Sequence, residues 1–234
     1  MGKGIAFQLF GFPVSIQSSF ILLVAFLGYL SFPNDFGLAI AFLVVAIFAV
    51  LVHELGHAFA ARRLGTSMGP TISLEGMAGL TRYRPASPPS RGQSIFVSFA
   101  GPLAGILLGI LVLAIRESDV VETTNFTRNL FRIGLFTTFG WSAFNLLPIV
   151  PLDGGHIMTD MIPGNQHIRR RRAAVVSIVF SLLAGLFLWQ AGIIFGAIIL
   201  AMMAFQNFSI VSAPAPTAGV APPPIVRDDE PDLH

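Results

Sequence analysis

From Ala173 to Ser212 the chain runs for 40 residues without a charged side chain. At about 20 residues per bilayer crossing, that run is long enough for two membrane spans, and Trp189-Gln190-Ala191-Gly192 is the turn between them. Further apolar runs cover residues 16–32, 36–61, 94–115 and 131–148, which predicts six spans in all. Only 11% of the residues are charged, against about 25% in a soluble domain, and 54% are hydrophobic. With a mean hydropathy of +0.76 this excludes a disordered chain, a coiled coil and a disulfide scaffold. The expected fold is an all-α polytopic membrane protein of about six transmembrane helices with one short membrane-associated β-hairpin.

The basic residues fall unevenly around these spans. Lys3, Arg62, Arg63, Arg82, Arg84, Arg91, Arg169 to Arg172 and Arg227 share one side; Arg116, Arg128 and Arg132 take the other. Positive charge is retained on the cytoplasmic side, so both termini are expected in the cytoplasm of a cell carrying this protein in its plasma membrane. Arginines placed this way set topology, and nucleic acid is not an expected partner. The first apolar run follows only Lys3 and is as long as a full crossing, so it reads as a retained span rather than a cleaved signal.

Two segments break the helical pattern. Residues 66–84 carry Gly69, Pro70, Gly76 and Gly79 with alternation at Ile72 and Leu74, and are expected to form the hairpin. Residues 213–234 are rich in proline and end acidic, and are expected to be an unstructured cytoplasmic tail after a membrane-embedded domain, 1–212.

The second span ends in His53-Glu54-Leu55-Gly56-His57. Histidines at i and i+4 share a helix face and can hold one divalent ion, while a glutamate beside them can take a proton from water. Phe36 to Val52 is 17 residues, about 25 Å of a hydrocarbon core of about 30 Å, so the motif is still at membrane depth. Ionisable side chains there must face a protein interior or a wet cavity. There are no cysteines, so the metal ligands must be His, Asp or Glu. A catalytic zinc site has three protein ligands plus water, and a third is missing from this helix. A longer motif would need glycine at 60 and histidine at 63, where the chain has Ala60 and Arg63. Topology selects Asp153, which follows the fourth span on the same side as the histidines. Pro148 and Pro151 stop that span, and the Gly154-Gly155 pair is expected to permit a tight or positive-φ turn that folds the carboxylate inward.

H-E-x-x-H on one span with Asn145-x-x-Pro148-x-x-x-Leu152-Asp153-Gly154 on a later one resembles the site-2 protease family, intramembrane zinc metalloproteases. Phe99-Ala100-Gly101-Pro102 is similar to the family's Gly-Pro helix, Phe10 to Val14 to its membrane-surface entry segment, and 66–84 to its β-hairpin. No stretch is long enough for a PDZ or CBS module, so the resemblance is to a minimal member; Gly105 stands where many relatives carry a polar residue.

The resemblance implies a zinc endopeptidase acting on transmembrane protein or peptide substrates within the lipid bilayer. One Zn2+ would be held by His53, His57 and Asp153, with Glu54 as general acid and base. Asn145 is the candidate oxyanion donor, and His156 is a neighbour of the metal or a plain loop histidine. A substrate helix must unwind before cleavage, and the hairpin is expected to offer it a strand edge, most directly at Thr71 to Leu74. Two other readings remain, a metal transporter and a catalytically inactive scaffold. A transporter would spread polar sites along a path, whereas here they sit at one depth, and an inactive scaffold has no need of an intact His53, Glu54, His57 and Asp153 set.

Overall fold

The computed structural model describes residues 4–76, 78–118 and 120–213; the tail beyond 213 lies outside the described residues. The chain opens with an antiparallel hairpin, β1 (Gly4–Leu9) and β2 (Phe12–Gln17), then α1 (Ser18–Ser31) and α2 (Phe36–Arg63). A second hairpin follows, β3 (Thr66–Glu75) and β4 (Ala78–Pro85), and then α3 (Arg91–Glu117). Next come α4 (Asn125–Leu135), a π-helical turn (Phe136–Gly140) and α5 (Trp141–Asn145), which follow one another without a break, and then the short α6 (Asp153–Met161). The chain ends in α7 (Gln166–Gln190) and α8 (Ile194–Ser212), which pack along each other, with Gly192 at φ 77° in the turn between them.

The helices α2, α3, α7 and α8 are long and apolar enough to cross a membrane. The expectation of six spans is therefore matched by four helices on length alone. α1 has 14 residues, about 21 Å, short of a hydrocarbon core of about 30 Å. The run at 131–148 is carried by α4, the π-turn and α5, a helical path that ends at Asn145. Large apolar side chains such as Leu182, Leu186, Phe187, Phe205 and Phe208 stay exposed on α7 and α8, where in a lipid solvent they need no protein cover.

The sheet is larger than the single hairpin expected from sequence. Its order is β1-β2-β3-β4, with β2 parallel to β3 through the pairs Val14↔Ile72, Ser15↔Ser73 and Ile16↔Leu74. Thr71 to Leu74 thus lies on an interior strand with both neighbours in place, and the open edges belong to β1 and β4. The first hairpin turns through Phe10 (φ 51°) and Gly11 (φ 81°), the pair of positive φ values that tight hairpin turns require.

Parallel pairing has a topological consequence. Two adjacent strands point the same way with α1 and α2 between them, so those helices run out and back. α2 is twice as long as α1, and its second half continues beside the sheet. Alternate residues Phe12, Val14 and Ile16 of β2 and Ile72 and Leu74 of β3 pack with Phe20 and Val24 of α1 and Ala46, Val50, Leu55 and Ala58 of α2. Where α2 meets α3 the side chains are small: a Cβ on Gly56 would overlap the Ala100 carbonyl, the close backbone approach that membrane helices use in place of a hydrophobic driving force.

Candidate metal centre

The second half of α2 buries His53 (2% exposed), Glu54 (5%) and His57 (8%). Both imidazoles leave the same helix face, as their spacing demands. Asp153 is the first residue of α6 and reaches them from the loop after α5. Its Oδ2 lies 3.1 Å from His53 Nε2, its Oδ1 lies 3.3 Å from His57 Nε2, and the two Nε2 atoms are 3.2 Å apart. Zinc at about 2.0–2.1 Å from its ligands places neighbouring donors of a tetrahedron about 3.3 Å apart, so the triangle of donors has the size such an ion sets.

Proton counting favours a cation as well. His57 Nδ1–H donates to the Val97 carbonyl at 2.7 Å, which in the neutral imidazole leaves Nε2 with a lone pair. Asp153 only accepts when ionised, so one proton on His53 Nε2 would have to serve three close contacts. A divalent ion serves all three.

Three elements hold these groups in place. From α3, Val97 fixes the His57 tautomer. Gly101 gives the ring its room: a Cβ there would overlap His57 Nε2 and come within 2.5 Å of Cε1 and 2.7 Å of Cδ2. From the sheet, Thr81 Oγ1 donates to Glu54 Oε2 at 2.7 Å. The third element is the loop carrying Asp153, and it is anchored to the last two helices. Val150 N–H donates to Ser177 Oγ at 2.9 Å, and Asn207 Nδ2 donates to the Val150 carbonyl at 2.6 Å.

The glycine pair works differently from the sequence expectation. Neither Gly154 nor Gly155 has a positive φ; both are helical, buried residues of α6. They allow close packing, since a Cβ on Gly154 would overlap the Leu146 and Leu147 carbonyls and one on Gly155 would lie 2.5 Å from the backbone of Ile149 and Val150. The carboxylate is aimed by α6 packing against its own preceding loop.

Asn145 ends α5, buried at 8% exposure, with Nδ2 donating to the Trp141 carbonyl at 2.9 Å. It forms no hydrogen bond with the three ligands. His156 is exposed on α6, and among the described residues its side chain has no hydrogen-bond partner. Gly105 packs against the Ser142 hydroxyl, so its lack of a side chain lets α3 and α5 approach.

The sequence model of peptidase family M50 matches residues 41–119 and 117–188, which contain His53, Glu54, His57 and Asp153. The chain belongs to peptidase family M50. A relative described as zinc metalloprotease MJ0392, from Methanocaldococcus jannaschii, is 28% identical over 155 residues, 65% of this M50 chain and 43% of its own length. The putative zinc metalloprotease sll0528 of Synechocystis is 29% identical over 177 residues, 68% of this chain and 45% of its own. The M50 chain thus spans less than half the length of these relatives. A solved site-2 protease from M. jannaschii shares the fold, with a TM-score of 0.61 at 22% identity over 91% of this chain and 97% of that one.

Several residues around the M50 centre escaped the sequence reading. Thr81 and Gly79 face inward because strand side chains alternate, a signal present in the letters but hidden by uncertainty in register. Ser177 and Asn207 are polar letters inside the long apolar run, and polar groups within spans call for a partner.

Proposed function

We propose that this chain is a zinc-dependent intramembrane endopeptidase that hydrolyses peptide bonds in or near transmembrane segments of membrane-protein substrates. The supporting observation is the donor triangle with edges of 3.1, 3.2 and 3.3 Å, one residue from a buried glutamate. His53, His57 and Asp153 would hold one zinc ion. Bound there, zinc supplies the Lewis acidity that makes water a nucleophile near neutral pH. Glu54 takes the proton that the attacking water gives up and returns it to the leaving amine. Asn145 spends one of its two amide hydrogens on Trp141, and the second serves the developing oxyanion.

Substrate enters this reading through the sheet. β4 is an edge strand, so one side of Ala78–Pro85 is free to pair with an unwound substrate segment, on the strand that touches Glu54. Six crossings are assigned by taking α1 and the α4–α5 path as spans; the out-and-back course between β2 and β3 supports the first of these. The arginine distribution assigns both termini and the mouth of the site to the cytoplasmic side of a plasma membrane. Transport of metal is less well supported, because among the described residues one cluster of metal-ligand type is present rather than a series along a path.

The test is zinc content by elemental mass spectrometry on detergent-purified wild type and Asp153→Ala, followed by cleavage of a panel of transmembrane peptides with Glu54→Ala as control. About one zinc in wild type, much less in Asp153→Ala, and cleavage lost in Glu54→Ala is the expected set. Wild type without zinc after repletion overturns the proposal in favour of an inactive scaffold.

A further inference from the structure

Glu54 is buried next to two metal-ligand histidines, where a small rotation of its carboxylate would move the proton acceptor away from the reacting water. Two residues on one face of β4 lie against that carboxylate. Thr81 Oγ1 lies 2.7 Å from Glu54 Oε2 and 3.1 Å from the Glu54 carbonyl. A hydroxyl has a single proton, and the shorter, charge-assisted contact takes it. Among the described residues no other group donates to this carboxylate. Two residues earlier, Gly79 lies flat against the same side chain: a Cβ there would overlap Glu54 Oε1 and come within 2.6 Å of Cγ and 2.7 Å of Cδ. The intervening Leu80 points away and is exposed, as strand alternation requires.

We propose that Thr81 is a positioning residue for the general base: its hydroxyl holds Glu54 Oε2, and Gly79, by having no side chain, leaves the space in which Oε1, Cγ and Cδ of the same carboxylate lie. The inference rests on the reading of Glu54 as that base. Its content is that the hairpin, and not α2 alone, sets where the base points. A threonine that merely pinned the hairpin to α2 could do so through the Glu54 backbone carbonyl, and its loss would loosen the sheet without singling out the carboxylate.

The experiment uses the purified chain with cobalt in place of zinc, in wild-type, Thr81→Val, Thr81→Ser, Gly79→Ala and Glu54→Ala forms. The probe is acetohydroxamate, which chelates a divalent ion while its hydroxyl proton passes to a neighbouring carboxylate. Binding is read from the visible cobalt spectrum. Thr81→Val removes the hydroxyl at nearly constant volume, and Gly79→Ala pushes the carboxylate while leaving Thr81 in place. Both are expected to bind the probe roughly 10-fold or more weakly, in the direction of Glu54→Ala, with cobalt content unchanged. Thr81→Ser keeps the donor and is expected to bind as wild type does. On a cleaved transmembrane peptide, Thr81→Val is expected to lower kcat roughly 10- to 100-fold at constant KM. Wild-type affinity in Thr81→Val beside a weak Glu54→Ala overturns the role of Thr81 alone. Loss of cobalt in Thr81→Val, or failure of Thr81→Ser to rescue, also overturns it in favour of a structural tie. Wild-type affinity in Glu54→Ala overturns both this inference and the reading of Glu54 as the base.

Discussion

Gly101→Ala tests the metal centre without touching a ligand. The new methyl would overlap His57 Nε2 and start 2.5 Å from Cε1, and ordinary contact begins near 3.4 Å, so the ring must retreat by at least about 0.9 Å. Metal–ligand distances tolerate about 0.2 Å. If α3 moves instead of the ring, it carries away the Val97 carbonyl that fixes the His57 tautomer, so neither escape spares the site. The expected result is a loss of zinc affinity of at least about 100-fold, measured as zinc content by elemental mass spectrometry after equilibration in graded zinc buffers. Gly92→Ala, where a Cβ meets nothing within 4 Å, is the matched control on the same helix and is expected to load zinc like wild type. A Gly101→Ala protein that fills with zinc at wild-type buffer concentrations would refute the placement of His57 against α3.

Asn207→Ala leaves the Val150 carbonyl without its 2.6 Å donor; thermal denaturation is expected to register a loss of about 1–3 kcal/mol, and zinc affinity to fall with it although the residue is on another helix. Asn145→Ala is expected to keep zinc and lower kcat by about 100-fold, and an unchanged kcat would confine Asn145 to its bond with Trp141. The natural chain has no cysteine, so single cysteines report cleanly. One placed at Arg82 on β4 is expected to form a disulfide with a cysteine-bearing transmembrane substrate, and one at Ser15 on interior β2 is not; the reverse pattern would move the substrate to a different part of the sheet.

The grouping of His53, His57 and Asp153 was legible because each rests on local rules. Histidines four apart must share a helix face, and a topological count of crossings leaves Asp153 as the acid at their level. What failed was long-range or backbone-level. The pairing of Val14 with Ile72 joins residues with two helices between them, and no local pattern announces a parallel neighbour, so β3 looked like an edge when it is interior. Gly154 and Gly155 carried the right signal under the wrong mechanism: glycine marks close approach as readily as positive φ, and only the packed backbone distinguishes them. Four of the six expected spans are matched by helix length; the 14-residue α1 and the path interrupted by a π-turn have apolar sequences without the length of a single crossing helix.

The tie between Val150 and Asn207 also bears on the order of synthesis. The histidines emerge early, on the second helix, and the aspartate about a hundred residues later, yet the loop that presents the aspartate takes its anchors from α7 and, last of all, from α8. A chain still on the ribosome can have both imidazoles in the membrane and lack a fixed third ligand. Assembly of the centre therefore waits for Asn207 to be made and its helix inserted, so a partly translated copy holds the pieces of the site in the bilayer before it holds the finished site.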